Sequence, residues 1–94
     1  MKNELTKIYM AVLTFFLDYH TTWGQQVCLC GSIPELGNLD ESRALVLSNE
    51  GDTWFGEVNI PRSSDLQYYY FIRERNITVR REWGHKRALR VTAN

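Results

Sequence analysis

The sequence predicts an all-β fold, either an immunoglobulin-like antiparallel β-sandwich or an open, distorted barrel of about seven short strands. Short apolar segments with alternating faces recur at near-regular spacing, and turn-forming residues separate them. No segment of more than a few residues has the apolar period of an amphipathic helix. A chain of 94 residues is the size of one domain with one core, so we interpret residues 1–94 as a single domain.

The alternation of side chains between two faces indicates where the strands lie in the sequence. Val12 and Phe16 alternate with Leu13 and Phe15, as the two faces of a strand would, in a segment rich in apolar and β-branched residues. Trp54 lies in the middle of a similar alternating segment and is predicted to be a core residue rather than a ligand contact. The predicted strands are residues 8–19, 26–30, 42–47, 53–60, 66–74, 77–82 and 87–92.

Turn-forming residues separate these strands. Gly24 predicts a turn after the first strand, whereas Pro34 and Gly37 predict an ordered loop over residues 32–40. Three consecutive tyrosines at 68–70 must point to both faces of one strand, so at least one is expected in the core and one exposed. Further turns are predicted at residues 49–52, 62–65 and 75–76.

Charge and cysteine content narrow the classes of partner. Eleven Lys and Arg balance eleven Asp and Glu, so the chain lacks the positive field that favours nucleic acid. The basic residues are concentrated in residues 62–90, which we interpret as a solvated face, with docking on an acidic neighbouring domain as the alternative. Cys28 and Cys30 share one strand face at a spacing that forbids a disulfide, and two buried thiols favour a cytoplasmic location.

The sequence lacks the residues that several kinds of catalytic and metal-binding site require. No serine lies in a nucleophile elbow, the histidines are limited to His20 and His85, and the six glycines are scattered singly. Cys28 and Cys30 have no nearby histidine pair to complete a metal site. The apolar run at residues 8–17 is too short for a membrane helix. We therefore predict that the chain is not itself an enzyme and has no cofactor, no metal site and no membrane association.

Residues 23–38 read WGQQVCLCGSIPELGN. The order of aromatic-Gly-Gln, apolar strand, Gly-Ser and Leu-Gly-Asn resembles the family 20 carbohydrate-binding module, the starch-binding domain. The resemblance continues to residues 81–87 and covers nearly the whole chain. A narrower likeness, carried by EWGHKRAL at residues 82–89, is to the N-terminal modules of the disproportionating-enzyme type of 4-α-glucanotransferase, glycoside hydrolase family 77.

The resemblance implies a non-catalytic module that binds starch or glycogen-type α-glucans, maltooligosaccharides or cyclodextrin by aromatic stacking. It further implies that the chain is an N-terminal fragment of a larger enzyme, where it tethers a neighbouring catalytic domain to the polymer. The alternative is a structural or interaction sandwich that packs on a catalytic domain and has little affinity for sugar.

The family has two sugar sites. In the first, Leu39 and Arg81 stand where the family has aromatic residues, and Tyr70 stands where it has a lysine. Trp83, two residues beyond Arg81, is expected either to supply the aromatic platform or to pack against the last strand. The residues that the resemblance assigns to this site are Tyr70, Glu82, Trp83 and Lys86.

In the second sugar site, Trp23 precedes Gly24 at the family's aromatic position. Its polar neighbours also favour a surface residue over one packed in the core. Glu50, in the short turn at residues 49–52, is the expected polar contact. An aromatic ring suits this role because pyranose rings present a flat patch of C–H groups, while polar side chains fix the orientation of the hydroxyls.

Overall fold

The computed structural model describes residues 10–61, 64–82 and 86–91, which form two antiparallel sheets. The predicted all-β sandwich is confirmed. Two short 3-10 helices, Pro34–Leu36 and Glu41–Arg43, lie between the second and third strands. The strands in chain order are β1 (Met10–Asp18), β2 (Gln25–Gly31), β3 (Leu45–Val46), β4 (Ser48–Glu50), β5 (Thr53–Pro61), β6 (Ser64–Glu74), β7 (Ile77–Arg81) and β8 (Arg87–Val91).

The smaller sheet has the strand order β1-β5-β4, and the larger has β3-β2-β6-β7. Strand β6 is the longest element and organises the larger sheet. Its first residues, from Ser64 to Tyr68, pair with β8, and its last, from Phe71 to Glu74, pair with β7. Strand β6 therefore lies between β2 and β7 and brings distant parts of the sequence together.

The core lies between the sheets, on the inward faces that alternation predicts. Trp54 is only 5% exposed, and its indole N–H donates to the carbonyl of Tyr19 at 3.2 Å, so its predicted core role is confirmed. Phe15 is buried, whereas Phe16, the next residue on β1, is exposed. The buried cluster consists of Phe15, Val27, Leu29, Leu36, Leu47, Trp54, Ile60, Leu66, Tyr70, Ile72 and Val91.

A second, smaller apolar cluster lies on the other face of the larger sheet. Cys28 and Cys30 are fully buried there against Phe71, and both are free thiols, as predicted. Burial raises the pKa of each thiol above its usual value. Both faces of the middle of this sheet are thus covered, which explains why β2 is a continuous apolar run rather than an alternating one.

The Gly-Ser-Ile-Pro-Glu-Leu-Gly-Asn block has a packing role. A side chain on Gly31 would lie 2.7 Å from Leu36, which is fully buried. Gly37 ends the first 3-10 helix with φ of 92°, and a Cβ there would lie 2.8 Å from the carbonyl group of Arg43. The two glycines therefore let residues 32–43 fold closely onto the end of β2.

Several strand boundaries differ from the predictions. The expected strand at residues 42–47 begins in the helix Glu41–Arg43 instead, because the Asp40 carboxylate accepts a hydrogen bond from the Ser42 N–H and caps that helix. Only Leu45–Val46 pairs as a strand there. The structure also has an eighth strand, Ser48–Glu50, which overlaps the predicted turn at 49–52. Its exposed polar residues give no alternation signal, and backbone pairing with β5 forms it.

The remaining predicted strands match the described ones to within two residues. Residues 8 and 9 of the first predicted strand, part of the turn at 62–65, and residue 92 lie outside the described residues. The single-domain assignment of residues 1–94 stays a prediction. No helix in the described part of the chain is long and apolar enough to cross a membrane.

Candidate functional site

A tight turn between β1 and β2 carries Trp23, whose side chain is 100% exposed. The N–H of Gln25 donates to the carbonyl of Thr22 at 3.1 Å, and the Gln25 side-chain oxygen accepts from the Thr22 N–H at 2.9 Å. Gly24 has φ of 91°, which suits the third residue of a type II turn. The indole is therefore held on a hydrogen-bonded turn with both of its faces in solvent.

A second turn lies beside the one that carries Trp23. The N–H of Tyr19 donates to the carbonyl of Asp52 at 2.8 Å, and the His20 ring nitrogen Nδ1 is 3.2 Å from the Asp52 carboxylate. Glu50 is exposed at the end of β4, just before this turn. Tyr19 and His20, which precede the Trp23 turn, thus contact Asp52, which follows Glu50, and the assignment of Trp23 and Glu50 to one sugar site stays a prediction.

On the larger sheet, the loop after the first 3-10 helix presents Leu39. Asn38 and Leu39 both have positive φ, 52° and 67°, a conformation that is unfavourable for a leucine. The N–H of Leu39 donates to the carbonyl of Gly31 at 2.7 Å, which holds the loop in place. Leu39 is consequently 42% exposed instead of packed in the core.

An open groove of about 300 Å³ begins at this leucine. It combines one apolar side chain, one half-buried phenol, one carboxylate and two cations. Lys86 lies over the ring of Tyr69, with its Nζ 5.9 Å from the ring centre. The residues that line the groove are Leu39, Tyr69, Arg81, Glu82 and Lys86.

Glu41 lies under one wall of this groove and joins three segments. Its Oε2 accepts from the hydroxyl of Tyr69 at 2.6 Å and from Nε of Arg81 at 2.7 Å. Its Oε1 accepts from Nη2 of Arg81 and from the hydroxyl of Thr78, both at 2.9 Å. Its carbonyl oxygen accepts from the guanidinium of Arg73. The loop, β6 and β7 are thus joined through one residue.

A β-bulge makes this arrangement possible. Arg80 pairs with Ile72 and Thr78 with Arg73, so Val79 is the extra residue in β7. In a regular strand, Thr78 and Arg81 would point to opposite faces because they are an odd number of residues apart. The bulge lets both side chains reach Glu41 on the same face.

The charges around Glu41 reinforce one another. The hydrogen bonds from Arg81 are the main cause that lowers the pKa of Glu41 to about 2, and those from Tyr69 and Thr78 add to this effect. The same carboxylate raises the pKa of Arg81. Burial, together with the hydrogen bond to Glu41, raises the pKa of Tyr69 above its usual value. Glu41 and Arg81 are therefore both charged at neutral pH.

Glu82 is more constrained than the sequence suggested. Its Oε2 accepts from Nε of Arg87 at 2.7 Å, and its Oε1 accepts from the backbone N–H of Tyr70 at 3.2 Å. It thus joins β8 to β6 while it faces the groove. Lys86 is exposed, and both residues line the groove, while the sugar site that the resemblance assigns to them stays a prediction.

Tyr70 is placed differently. Its side chain is 8% exposed and belongs to the core cluster, and the guanidinium of Arg87 covers its ring at 5.4 Å. Little of this ring is accessible to a sugar, so we remove Tyr70 from the candidate contacts. Tyr69, one residue earlier on β6, points to the opposite face and lines the groove, since a shift of one residue changes the face of a strand.

Of the three tyrosines, Tyr70 is in the core, as expected, whereas Tyr68 and Tyr69 are both half-buried, so the expectation of an exposed tyrosine is wrong. Trp83 lies outside the described residues. The sequence reasoning missed Glu41, because nothing local marks a glutamate whose partners lie about 30 to 40 residues away. Among the described residues, no group of three or more His, Cys, Asp or Glu could hold a metal ion.

Comparison with known proteins agrees with this fold. Residues 10–94 match the model of the family described as the starch binding domain. The chain is 38% identical over 82 residues to the 4-alpha-glucanotransferase DPE2 of Oryza sativa subsp. japonica, and the match covers 82% of this chain and 9% of that enzyme.

Two solved structures share the fold. The γ-CGTase from alkalophilic Bacillus clarkii has a TM-score of 0.80 at 31% identity, covering 89% of this chain and 14% of that one. The family 20 module of the maltotetraose-forming amylase from Pseudomonas saccharophila STB07 has a TM-score of 0.78 at 20% identity, covering 87% of this chain and 91% of that one. The chain therefore spans only a small part of the two enzymes and nearly all of the separate module.

Together, the sandwich and the family match place this chain in the class of carbohydrate-binding modules. More particularly, the chain belongs to the starch binding domain family, carbohydrate-binding module family 20.

Proposed function

We propose that this chain binds α-glucans such as starch, glycogen, maltooligosaccharides or cyclodextrin, chiefly by stacking a glucose ring on Trp23. The observation that carries the proposal is the complete exposure of an indole on a hydrogen-bonded turn. Exposing an indole forgoes the stabilisation that burial gives, and the fixed turn lowers the entropy lost on binding. Glu50, next to the same turn region, supplies a polar contact for sugar hydroxyls.

The groove supplies a second and weaker contact region. Leu39 and Tyr69 offer apolar surface, while Lys86 and Glu82 offer polar groups. Because the aromatic surface in the described part of the groove is limited to a half-buried phenol, we expect the Trp23 turn to contribute more of the affinity. Single-module dissociation constants of roughly micromolar to millimolar are expected.

In the parent protein, the module would tether a catalytic domain to the polymer and raise its local substrate concentration. The 38% identity to the rice enzyme supports a 4-α-glucanotransferase as that parent. On this proposal, the chain itself has no catalytic role and acts with a neighbouring catalytic domain, without nucleic acid or membrane, in the cytoplasm.

Electrophoresis through a gel that contains soluble starch tests the proposed function. The chain should be retarded relative to a gel without starch, and Trp23→Ala should abolish most of the retardation. Phe16→Ala is a matched control, because Phe16 is also an exposed aromatic, 67% exposed, but lies on the outer face of β1. Unretarded migration of the unmodified chain would contradict the proposal.

A structural or interaction role is the second candidate. Val12 and Phe16 expose apolar surface on β1, which is an edge strand of the smaller sheet. Such a face would suit packing on a neighbouring domain. This candidate predicts no starch retardation, together with a loss of stability of the full-length protein, but not of the module, when Phe16 is replaced by Ser.

A further inference from the structure

We propose that Arg81 is a sugar-contacting residue of the groove and that Glu41 is the residue that positions it. This inference rests on the proposed function and adds a hydrogen-bonding contact to it. This chain would thus bind sugar hydroxyl groups with a fixed guanidinium.

The donors of Arg81 support this role. A guanidinium has five N–H donors in a planar fork. One N–H at Nε and one at Nη2 point to the two oxygens of Glu41, at 2.7 and 2.9 Å. The other three point away from that carboxylate. Each ring of an α-1,4-linked glucan has two adjacent secondary hydroxyls, and a planar fork suits such a pair of acceptors.

The two side chains of the Arg81–Glu41 ion pair differ in their exposure to solvent. The Glu41 side chain is 19% exposed, and that of Arg81 is 60% exposed. Tyr69 and Thr78 also donate to Glu41, so the carboxylate has support on the protein side that does not depend on Arg81. Arg81 thus projects towards the groove from a rigid acceptor.

Holding the guanidinium in advance matters for affinity. A free arginine side chain loses much rotamer freedom when it binds a ligand, and this loss opposes binding. The bidentate bond to Glu41 fixes the long side chain of Arg81 before any ligand arrives. Without that acceptor, Arg81 would keep its charge but lose its orientation.

Titration with maltoheptaose, followed by NMR of the Trp23 indole N–H and the Arg81 Nε–H, tests the inference. We expect both signals to shift, with the Arg81 shift showing the weaker dissociation constant. A shift of Trp23 without any shift of Arg81 would overturn the inference and leave the proposed function intact. Absence of both shifts would overturn both.

Variants then separate positioning from folding. Arg81→Lys keeps the charge but loses the fork, so groove affinity should fall about three- to tenfold while affinity at Trp23 is unchanged. Glu41→Gln should give a similar loss, together with faster solvent exchange of the Arg81 Nε–H, a signature that altered stability alone would not give.

Arg90→Lys is the matched control, since Arg90 makes a similar two-pronged pair with Asp65, at 2.8 and 3.3 Å, outside the groove. It should leave both dissociation constants unchanged. An equal effect of Arg81→Lys and Arg90→Lys would overturn the inference.

Discussion

The turn of Trp23 and the groove of Arg81 are built in opposite ways. The turn is held by two hydrogen bonds between Thr22 and Gln25, and a Cβ on Gly24 would meet no atom within 4 Å. The groove depends on Glu41, whose partners lie 28 to 40 residues away. A local turn can thus present a binding surface with little effect on stability, whereas the surface of the groove depends on the tertiary structure.

The largest expected effect is on stability at the groove. Gly37→Ala combines a left-handed backbone with a Cβ only 2.8 Å from the Arg43 carbonyl group, so we expect a loss of about 2–4 kcal/mol in the free energy of unfolding. Urea denaturation measures it. A loss below that of Gly24→Ala would show that residues 32–43 are not closely packed, contrary to the comparison.

The second largest effect on stability is expected from the carboxylate of Glu41. We expect Glu41→Gln to lower stability at neutral pH by about 1–3 kcal/mol, because the charged hydrogen bonds to Arg81 are weakened. The pKa of Glu41 is about 2 in the folded chain and about 4.3 when unfolded, so its stabilisation is complete above the unfolded value.

Acid titration of stability checks the sign of this effect. As the pH falls from about 4.3 towards 2, the unfolded chain takes up the proton first, and the stabilisation from Glu41 is lost. Thermal melts of the unmodified chain and of Glu41→Gln should therefore converge over this range. A constant difference between them down to pH 2 would contradict the assigned pKa.

A smaller effect is expected when the groove is made more like the turn. Leu39→Trp adds an aromatic platform at an exposed position, so affinity for maltoheptaose should rise about three- to tenfold. Val46→Trp is the matched control, because Val46 is 41% exposed, similar to Leu39, but lies on β3 outside the groove. Calorimetric titration distinguishes the two, and equal gains would show that any added surface indole suffices.

The smallest effect is expected from Gly24→Ala. The backbone there has positive φ but open space around it, so strain alone should lower stability by about 1 kcal/mol. Thermal denaturation measures this change. Glucan affinity should fall at the same time, because the turn that holds Trp23 becomes less rigid. Unchanged affinity would show that glucan binding does not depend on the rigidity of the turn.

The difference between local and long-range construction also explains what the sequence could predict. Trp23, Gly24 and Gln25 are consecutive, so their turn and its exposure were visible in the pattern. Trp54 and the buried cysteines followed from strand alternation. These features depend on residues close together in the chain.

The groove could be predicted only in part. The resemblance placed Glu82 and Lys86 in one site, but it assigned Tyr70 to that site where the groove contains Tyr69. The face of the sheet to which each tyrosine points depends on the register of β6. The bulge at Val79 breaks the alternation on which sequence reasoning relies. Glu41 joins three segments, and a single sequence contains no sign of that contact.

Calorimetric titration of maltoheptaose into the unmodified chain, Trp23→Phe and Trp23→Ala tests the central claim most directly. If Trp23 is the main stacking platform, Trp23→Phe should keep most of the affinity, while Trp23→Ala should lose about tenfold or more. Equal affinity of Trp23→Ala and the unmodified chain would contradict the assignment of Trp23 as the principal sugar contact.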